Sequence, residues 1–205
     1  LFCYHHAQQP VQLDTERYEV LQLGSDALAP YSARDAGGQT VFRDWPGKAQ
    51  RPVPFLAYTS TAYLSRMADI AMGQGRTSPH VKRVFDTDMA EGLRRMALAG
   101  HGVAFLPSSI AEADVRSGSL VKLDGGWEVD MEIRAYRERP TLGRPAPRRV
   151  DQLWKWMELE SAGLQMRDAT RHDDPTDLPA TRVRGRRGFA ASRGGPVPPP
   201  GKRSR

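Results

Sequence analysis

Between residues 52 and 123, short apolar runs alternate with stretches of helical spacing, and this alternation restricts the fold more than any other feature of the chain. Residues 52–58 (PVPFLAY) are apolar over the length of a strand. They run into the hydroxyls of Thr59, Ser60 and Thr61, residue types that cap helix N-termini. Leu64, Met67, Ala68, Ala71 and Met72 then recur on one helical face before Gly73 and Gly75 close the element. The unit repeats. Residues 80–85 (HVKRVF) read as a strand and Asp86, Thr87 and Asp88 as a helix cap. Met89, Leu93, Met96 and Ala97 follow as an apolar helical face that ends at Gly100. Residues 102–107 (GVAFLP) form a short buried strand, 108–116 a short helix, and 120–123 and 131–136 further strands. Outside this block, 19–23 (EVLQL) alternates like a strand and 150–159 (VDQLWKWMEL) like an amphipathic helix. Short strands separated by helices predict an α/β fold with a largely parallel sheet.

In such sheets ligands sit beyond the carboxyl ends of strands, beside helix N-termini. The turns at residues 58–61 and 86–89 place hydroxyls and free backbone N–H groups there, and each is a candidate binding position as well as a cap. Catalytic signatures are missing. The sequence contains no Gly-x-Ser-x-Gly, no glycine-rich phosphate loop and no paired zinc histidines. Asp86 and Asp88 suit the dipole of a helix start better than acid–base work. The single cysteine, Cys3, excludes an internal disulfide and a cysteine-based zinc site, and reads as a small apolar residue or a redox thiol. His5 and His6 are adjacent, so on a strand they face opposite sides and do not chelate one metal. Neither an enzyme, a metal site nor a cofactor is expected.

The chain has 205 residues, enough for one ordinary domain or two small ones. No apolar run approaches the roughly 20 residues that cross a bilayer, so a protein without membrane contact is expected. The net charge of +6 invites a nucleic-acid reading until it is located. Residues 1–166 hold 20 basic and 20 acidic side chains, whereas 167–205 hold ten basic and four acidic. The imbalance therefore belongs to an Arg/Pro/Gly-rich tail and says nothing about the body. With so few apolar residues, the tail over 161–205 is expected to be disordered.

A helix from Asp88, then Ala99-Gly100-His101-Gly102-Val103-Ala104-Phe105-Leu106-Pro107, then Ser117-Gly118-Ser119-Leu120-Val121, resembles the effector domain of LysR-type transcriptional regulators. The resemblance is specific over about 35 residues, because two glycines, a proline and the apolar positions fall in one register, and it extends more weakly from Leu1 to about Glu160. It implies a two-lobed fold like that of periplasmic binding proteins, with a ligand cleft between two α/β lobes. Residues 1–50 would form part of a first lobe, incomplete at its N-terminus, and 51–137 the second. Residues 138–160 would return to pack a helix on the first lobe. The helix-turn-helix that reads promoter DNA in this family is absent from the sequence. A solute-binding module of a transport system shares the fold and is the alternative.

The resemblance also implies where an effector would sit. Cys3, Tyr4, His5 and His6 would lie at the lip of one lobe, opposite Tyr58, Thr59, Ser60 and Thr61 and opposite Thr87, Asp88 and Met89. Hydroxyls and helix N–H groups suit a small anion. Segments around Cys3, Tyr58 and Met96, together with Met89, are similar to the hypochlorite-responsive branch of the family. That makes an oxidant the other candidate effector, with Met89 and Cys3 as its targets. Homodimers or tetramers are the implied assembly.

Overall fold

Two long strands form the spine of the molecule. β2 (Tyr18–Ala33) and β7 (Val129–Glu138) pair antiparallel along most of their length, with a register shift between Gln22 and Gly24. In the computed structural model, which describes residues 1–141 and 143–172 and side chains through residue 163, one seven-stranded sheet grows from this ribbon. β1 (Phe2–His5) lines the outer side of β7 and forms one sheet edge. On the other side follow β5 (Val103–Pro107), β3 (Val53–Tyr58) and, at the second edge, β4 (Val81–Thr87), while β6 (Leu120–Lys122) pairs with β2.

The α/β class holds, but the largely parallel sheet does not. Only β3 with β4 and β3 with β5 run parallel; every pairing of β2 and β7 is antiparallel. Helical crossovers impose parallel pairing, and the crossovers lie only between residues 58 and 103; the two long strands meet directly. The strand expected over 19–23 also continues ten residues further. Its second half, from Ala27, is covered on both faces and so loses the alternation that marks a one-sided strand.

The helices are α1 (Tyr63–Gln74), α2 (Ala90–Leu98), α3 (Ser108–Ser117) and α4 (Arg148–His172). The first three account for the continuous apolarity of β3 and β5. Successive side chains leave a strand on opposite faces, and here both faces are covered. Leu28, Phe55, Ala57 and Phe105 meet Met67, Ala68 and Ala71 of α1. Ala29, Leu56, Tyr58, Ala104 and Leu106 meet Leu93 and Ala97 of α2 and Ala111 of α3. Gly100, at φ +78°, takes the left-handed conformation that ends the α2 turn. Gly102 serves close packing instead. A Cβ there would lie 2.9 Å from both Leu56 Cγ and the Pro54 carbonyl oxygen, so only glycine lets β5 start against β3.

α4 covers the other end of the ribbon. Trp154 and Met157 pack on Ala135, with Leu21 and Leu23 alongside, and the Arg137 guanidinium stacks 4.5 Å from the Trp154 ring centroid. The helix runs past the expected 150–159 to His172, so residues 161–172 are helical rather than part of the tail; the rest of that expectation, 173–205, lies outside the described residues. Among the described residues no helix is long and apolar enough to cross a membrane.

Candidate functional site

The two strand-to-helix turns singled out in the sequence converge, though not as caps. α1 begins after Ala62 with no side-chain cap and no acidic residue in its first turn, and α2 begins after Met89, also without a side-chain cap. The side chains expected to cap are engaged elsewhere. The Thr59 hydroxyl donates to the Asp88 carboxylate, which ties the β3–α1 turn to the β4–α2 turn. Thr87 Oγ1 accepts from the Met89 amide at 3.3 Å. Parallel pairing of Tyr58 with Thr87 ends both strands side by side, which brings Thr59 and Asp88 within reach.

Opposite these turns lies the β1 edge. Between them is a cavity of about 540 Å³ lined by Cys3, Tyr4, Val11, Thr61, Ala62, Tyr63, Leu64 and Asp88. Its volume lies within the roughly 300–1,000 Å³ typical of small-molecule sites. Most of the wall is apolar; hydroxyls, one thiol and one carboxylate supply the polar points. Burial pushes the Cys3 thiol up against the opposing pull of the N-terminal ammonium and Arg134, so it stays protonated at neutral pH. Burial and then the Asp26 charge push the Tyr4 phenol up to about 12. Tyr63 is raised by burial, and its hydroxyl donates to the Gln9 carbonyl oxygen at 3.3 Å.

Of the candidates read from the sequence, Cys3, Tyr4, Thr61 and Asp88 line this cavity. Thr59 stands behind it through its bond to Asp88. Ser60 is exposed in the turn, and Thr87 sits at the end of β4. His5 closes β1 beyond the cavity wall, its Nδ1 buried without a hydrogen-bond partner among the described residues. Met89 projects to solvent, 66% exposed, rather than joining the apolar face of α2. Tyr58 belongs to the core: it is 2% exposed and its hydroxyl has no partner among the described residues. Burial, then the neighbouring Tyr4, raise its phenol.

Behind Tyr4 lies a polar cluster that sequence reasoning missed. Asp26 is 9% exposed and its carboxylate accepts four hydrogen bonds. They come from the Tyr4 hydroxyl (3.0 Å), the Ser109 hydroxyl (2.6 Å), the Ser109 amide (3.2 Å) and the Ala27 amide (2.9 Å). The carboxylate thus occupies the N-terminal turn of α3, where the helix dipole favours negative charge. Its bonds join β1, β2 and α3. The available signal was the lone acidic residue in an apolar stretch, Ser25-Asp26-Ala27-Leu28, together with the serines that follow Pro107. No group of three or more metal-ligating side chains occurs among the described residues.

Residues 8–159 match the family of LysR substrate binding domains. The chain is 30% identical over 122 residues to the HTH-type transcriptional regulator YjiE of Escherichia coli K12, covering 60% of this chain and 38% of that protein. It is 29% identical over 122 residues to the HTH domain-truncated transcriptional regulator QseD of Escherichia coli O157:H7, covering 60% and 48%. It therefore spans less than half the length of either relative. Among solved structures, the regulatory domain of HypT from Salmonella typhimurium superposes with a TM-score of 0.65 at 21% identity, covering 79% of this chain and 72% of that one. With the glycine-punctuated β5 segment, the sheet order and a match over three-quarters of its length, the chain belongs to the LysR substrate-binding domain family.

Proposed function

We propose that this chain is the effector-sensing part of a transcriptional regulator, acting by binding rather than by catalysis. The observation that carries the reading is the meeting of two distant parts of the chain around one cavity: Cys3 and Tyr4 from β1, and Thr61 and Asp88 from the turns that open α1 and α2. A ligand there touches both. In this reading β1, the first half of β2 and residues 138–160 belong to one lobe and the second half of β2 with 51–137 to the other, and an occupied cavity alters how they meet. The signal passes through a homodimer or tetramer in the cytoplasm to promoter DNA, which a helix-turn-helix outside this sequence contacts. The relatives' names, transcriptional regulators in both cases, favour this reading over a transport module.

The test is ligand-induced stabilisation of the 205-residue chain, compared with a variant whose cavity is filled by Ala62→Trp. Compounds that raise the melting temperature of the parent and leave the filled variant unmoved are the expected result. A compound set that stabilises both equally, or neither, overturns the assignment.

A second reading has its own support. Met89 is well exposed beside the cavity, and a related protein, full-length HypT, is a hypochlorite-specific regulator. Oxidation to the sulfoxide would turn an apolar side chain at this rim polar. Peptide mass spectrometry after mild hypochlorite then finds Met89 oxidised well before the buried Met67; equal rates for the two exclude the oxidant reading.

A further inference from the structure

The charge placed in the cavity narrows the class of molecule it takes. Hydroxyl-rich turns alone suggest an anion, but among the described residues the cavity lining includes no arginine, lysine or histidine. The N-terminal ammonium and Arg134 act on Cys3 and Arg66 lies 5.8 Å from the Tyr63 ring centroid, while the charged side chain in the wall itself is the carboxylate of Asp88. The remaining polar groups are hydroxyls and a thiol that are neutral at pH 7, and burial raises the Cys3 thiol and the Tyr4 and Tyr63 phenols further. Asp88 is also held in place. One of its oxygens accepts the Thr59 hydroxyl, which fixes the carboxylate at the rim and leaves the second oxygen available to a ligand. Val11, Ala62, Leu64 and the Tyr63 ring supply an apolar wall beside it.

We propose that the ligand of this cavity is a small amine-bearing molecule with an apolar body, of amino-acid size, whose ammonium pairs with Asp88 while its body lies against Val11, Ala62 and Leu64. This rests on the sensing role proposed above and names its ligand class. An ammonium offers three donors to a carboxylate, a charge-assisted contact stronger than a neutral hydrogen bond. A purely anionic molecule would instead meet Asp88 with like charge. A carboxylate on the same ligand is compatible, because the first turn of α1 opens into the cavity without an acidic residue.

Cys3 supplies a site-specific readout, being the sole thiol of the chain and part of the cavity wall. The rate at which iodoacetamide alkylates it is measured in the 205-residue protein with three probes that share one apolar body. Leucine carries amine and carboxylate, isoamylamine only the amine, and 4-methylvalerate only the carboxylate. Leucine and isoamylamine are expected to slow alkylation and 4-methylvalerate to leave it unchanged. Asp88→Asn keeps an acceptor for Thr59 but removes the charge, and is expected to weaken protection by both amines about tenfold, whereas Asp88→Glu retains it.

Protection by 4-methylvalerate equal to that by leucine, or amine protection that survives Asp88→Asn, overturns the proposal while leaving a ligand-binding cavity in place. Absence of protection by all three probes also overturns it, and the comparison of the parent with the Ala62→Trp variant then decides separately whether the cavity senses anything.

Discussion

The part of the sheet built from β3 and β5 and the end built from β1, β7 and α4 are made of similar residues but covered very differently, while the edge strand β4 stays exposed at Val84 and Phe85. Around β3 and β5, helices lie on both faces, and Leu56, Leu93, Ala97, Val103, Ala104 and Leu106 are wholly excluded from solvent. At the other end one helix covers the ribbon through Trp154 and Met157, while Leu1, Phe2, Val20, Leu153, Trp156 and Leu159 remain exposed. Local stability follows the density of buried apolar contact, so the first region should open only with the whole molecule and the second on its own. The cavity lies where they meet. A sensor gains from that arrangement, because a ligand touching β1 and α1 acts on a weakly held element against a rigid one.

The largest effect should come from the doubly covered half. Phe105→Ala removes a side chain that packs edge-on against Phe55 at 6.1 Å, and is expected to lower stability by about 3–5 kcal/mol in urea unfolding, across the whole chain. Trp154→Ala, the matching deletion under α4, should cost about 3 kcal/mol locally. Hydrogen exchange then shows α4 and the outer ribbon losing protection while β3 and β5 keep theirs. Loss of protection in both regions would mean that the two ends form one cooperative unit, and the contrast would be gone.

These two regions were also unequally legible. From residue 52 to residue 123 each strand and helix was readable to within a residue or two, because apolar strands and 3.6-residue spacing alternate there with glycine or proline at the boundaries. β2 was readable only as far as Leu23. Beyond it, Gly24, Ser25, Asp26 and Pro30 look like a loop, and only the tertiary partners reveal a strand: α3 for Asp26 and β5 for Pro30. At the candidate site, Tyr4, Thr61 and Asp88 were legible as residues near a cleft. The capping expected of these turns does not occur, since Thr59 and Asp88 bind each other across 29 positions, a pairing no local rule anticipates. Asp26 and Ser109 stayed hidden for the same reason, being 83 positions apart.

Asp26 ties the two regions together, and loosening it gives an intermediate effect. Asp26→Asn replaces one carboxylate acceptor by an NH₂ group facing donors, and should cost about 1–3 kcal/mol, while Tyr4→Phe, which leaves both Ser109 bonds intact, should cost about 1 kcal/mol. If the tie couples the regions, exchange at the first turn of α3 rises in both variants. An effect confined to β1 would show that Asp26 stabilises without connecting.

The pH dependence of the β1 end is a subtler contrast. Burial, reinforced by the nearby Arg134, lowers the affinity of His5 for a proton below the ordinary histidine value of 6.5, with Glu132 opposing. In the native state His5 Nδ1 has no partner among the described residues, so a proton there gains nothing. The unfolded chain then binds the proton more readily. The contribution of His5 is complete above pH 6.5 and is lost as pH falls through the depressed native value. Protection of β1 should therefore decline as pH falls below the ordinary histidine value while that of β5 holds, and His5→Gln should flatten the β1 profile. A profile unchanged by His5→Gln would assign the decline to another group.

The smallest effect belongs to the exposed apolar residues of the singly covered end. Phe2 and Trp156 are each 58% exposed, so truncation to alanine removes little buried area. Phe2→Ala and Trp156→Ala should each change stability by less than about 0.5 kcal/mol, the ordinary range for surface positions. This near-null result is what most sharpens the comparison, because it separates residues that are apolar from residues that hold the fold. A cost above about 1 kcal/mol that grows with protein concentration would mean that a second copy covers these side chains in solution. The weakly held end would then be completed by assembly, and the difference between the two regions would belong to the isolated chain alone.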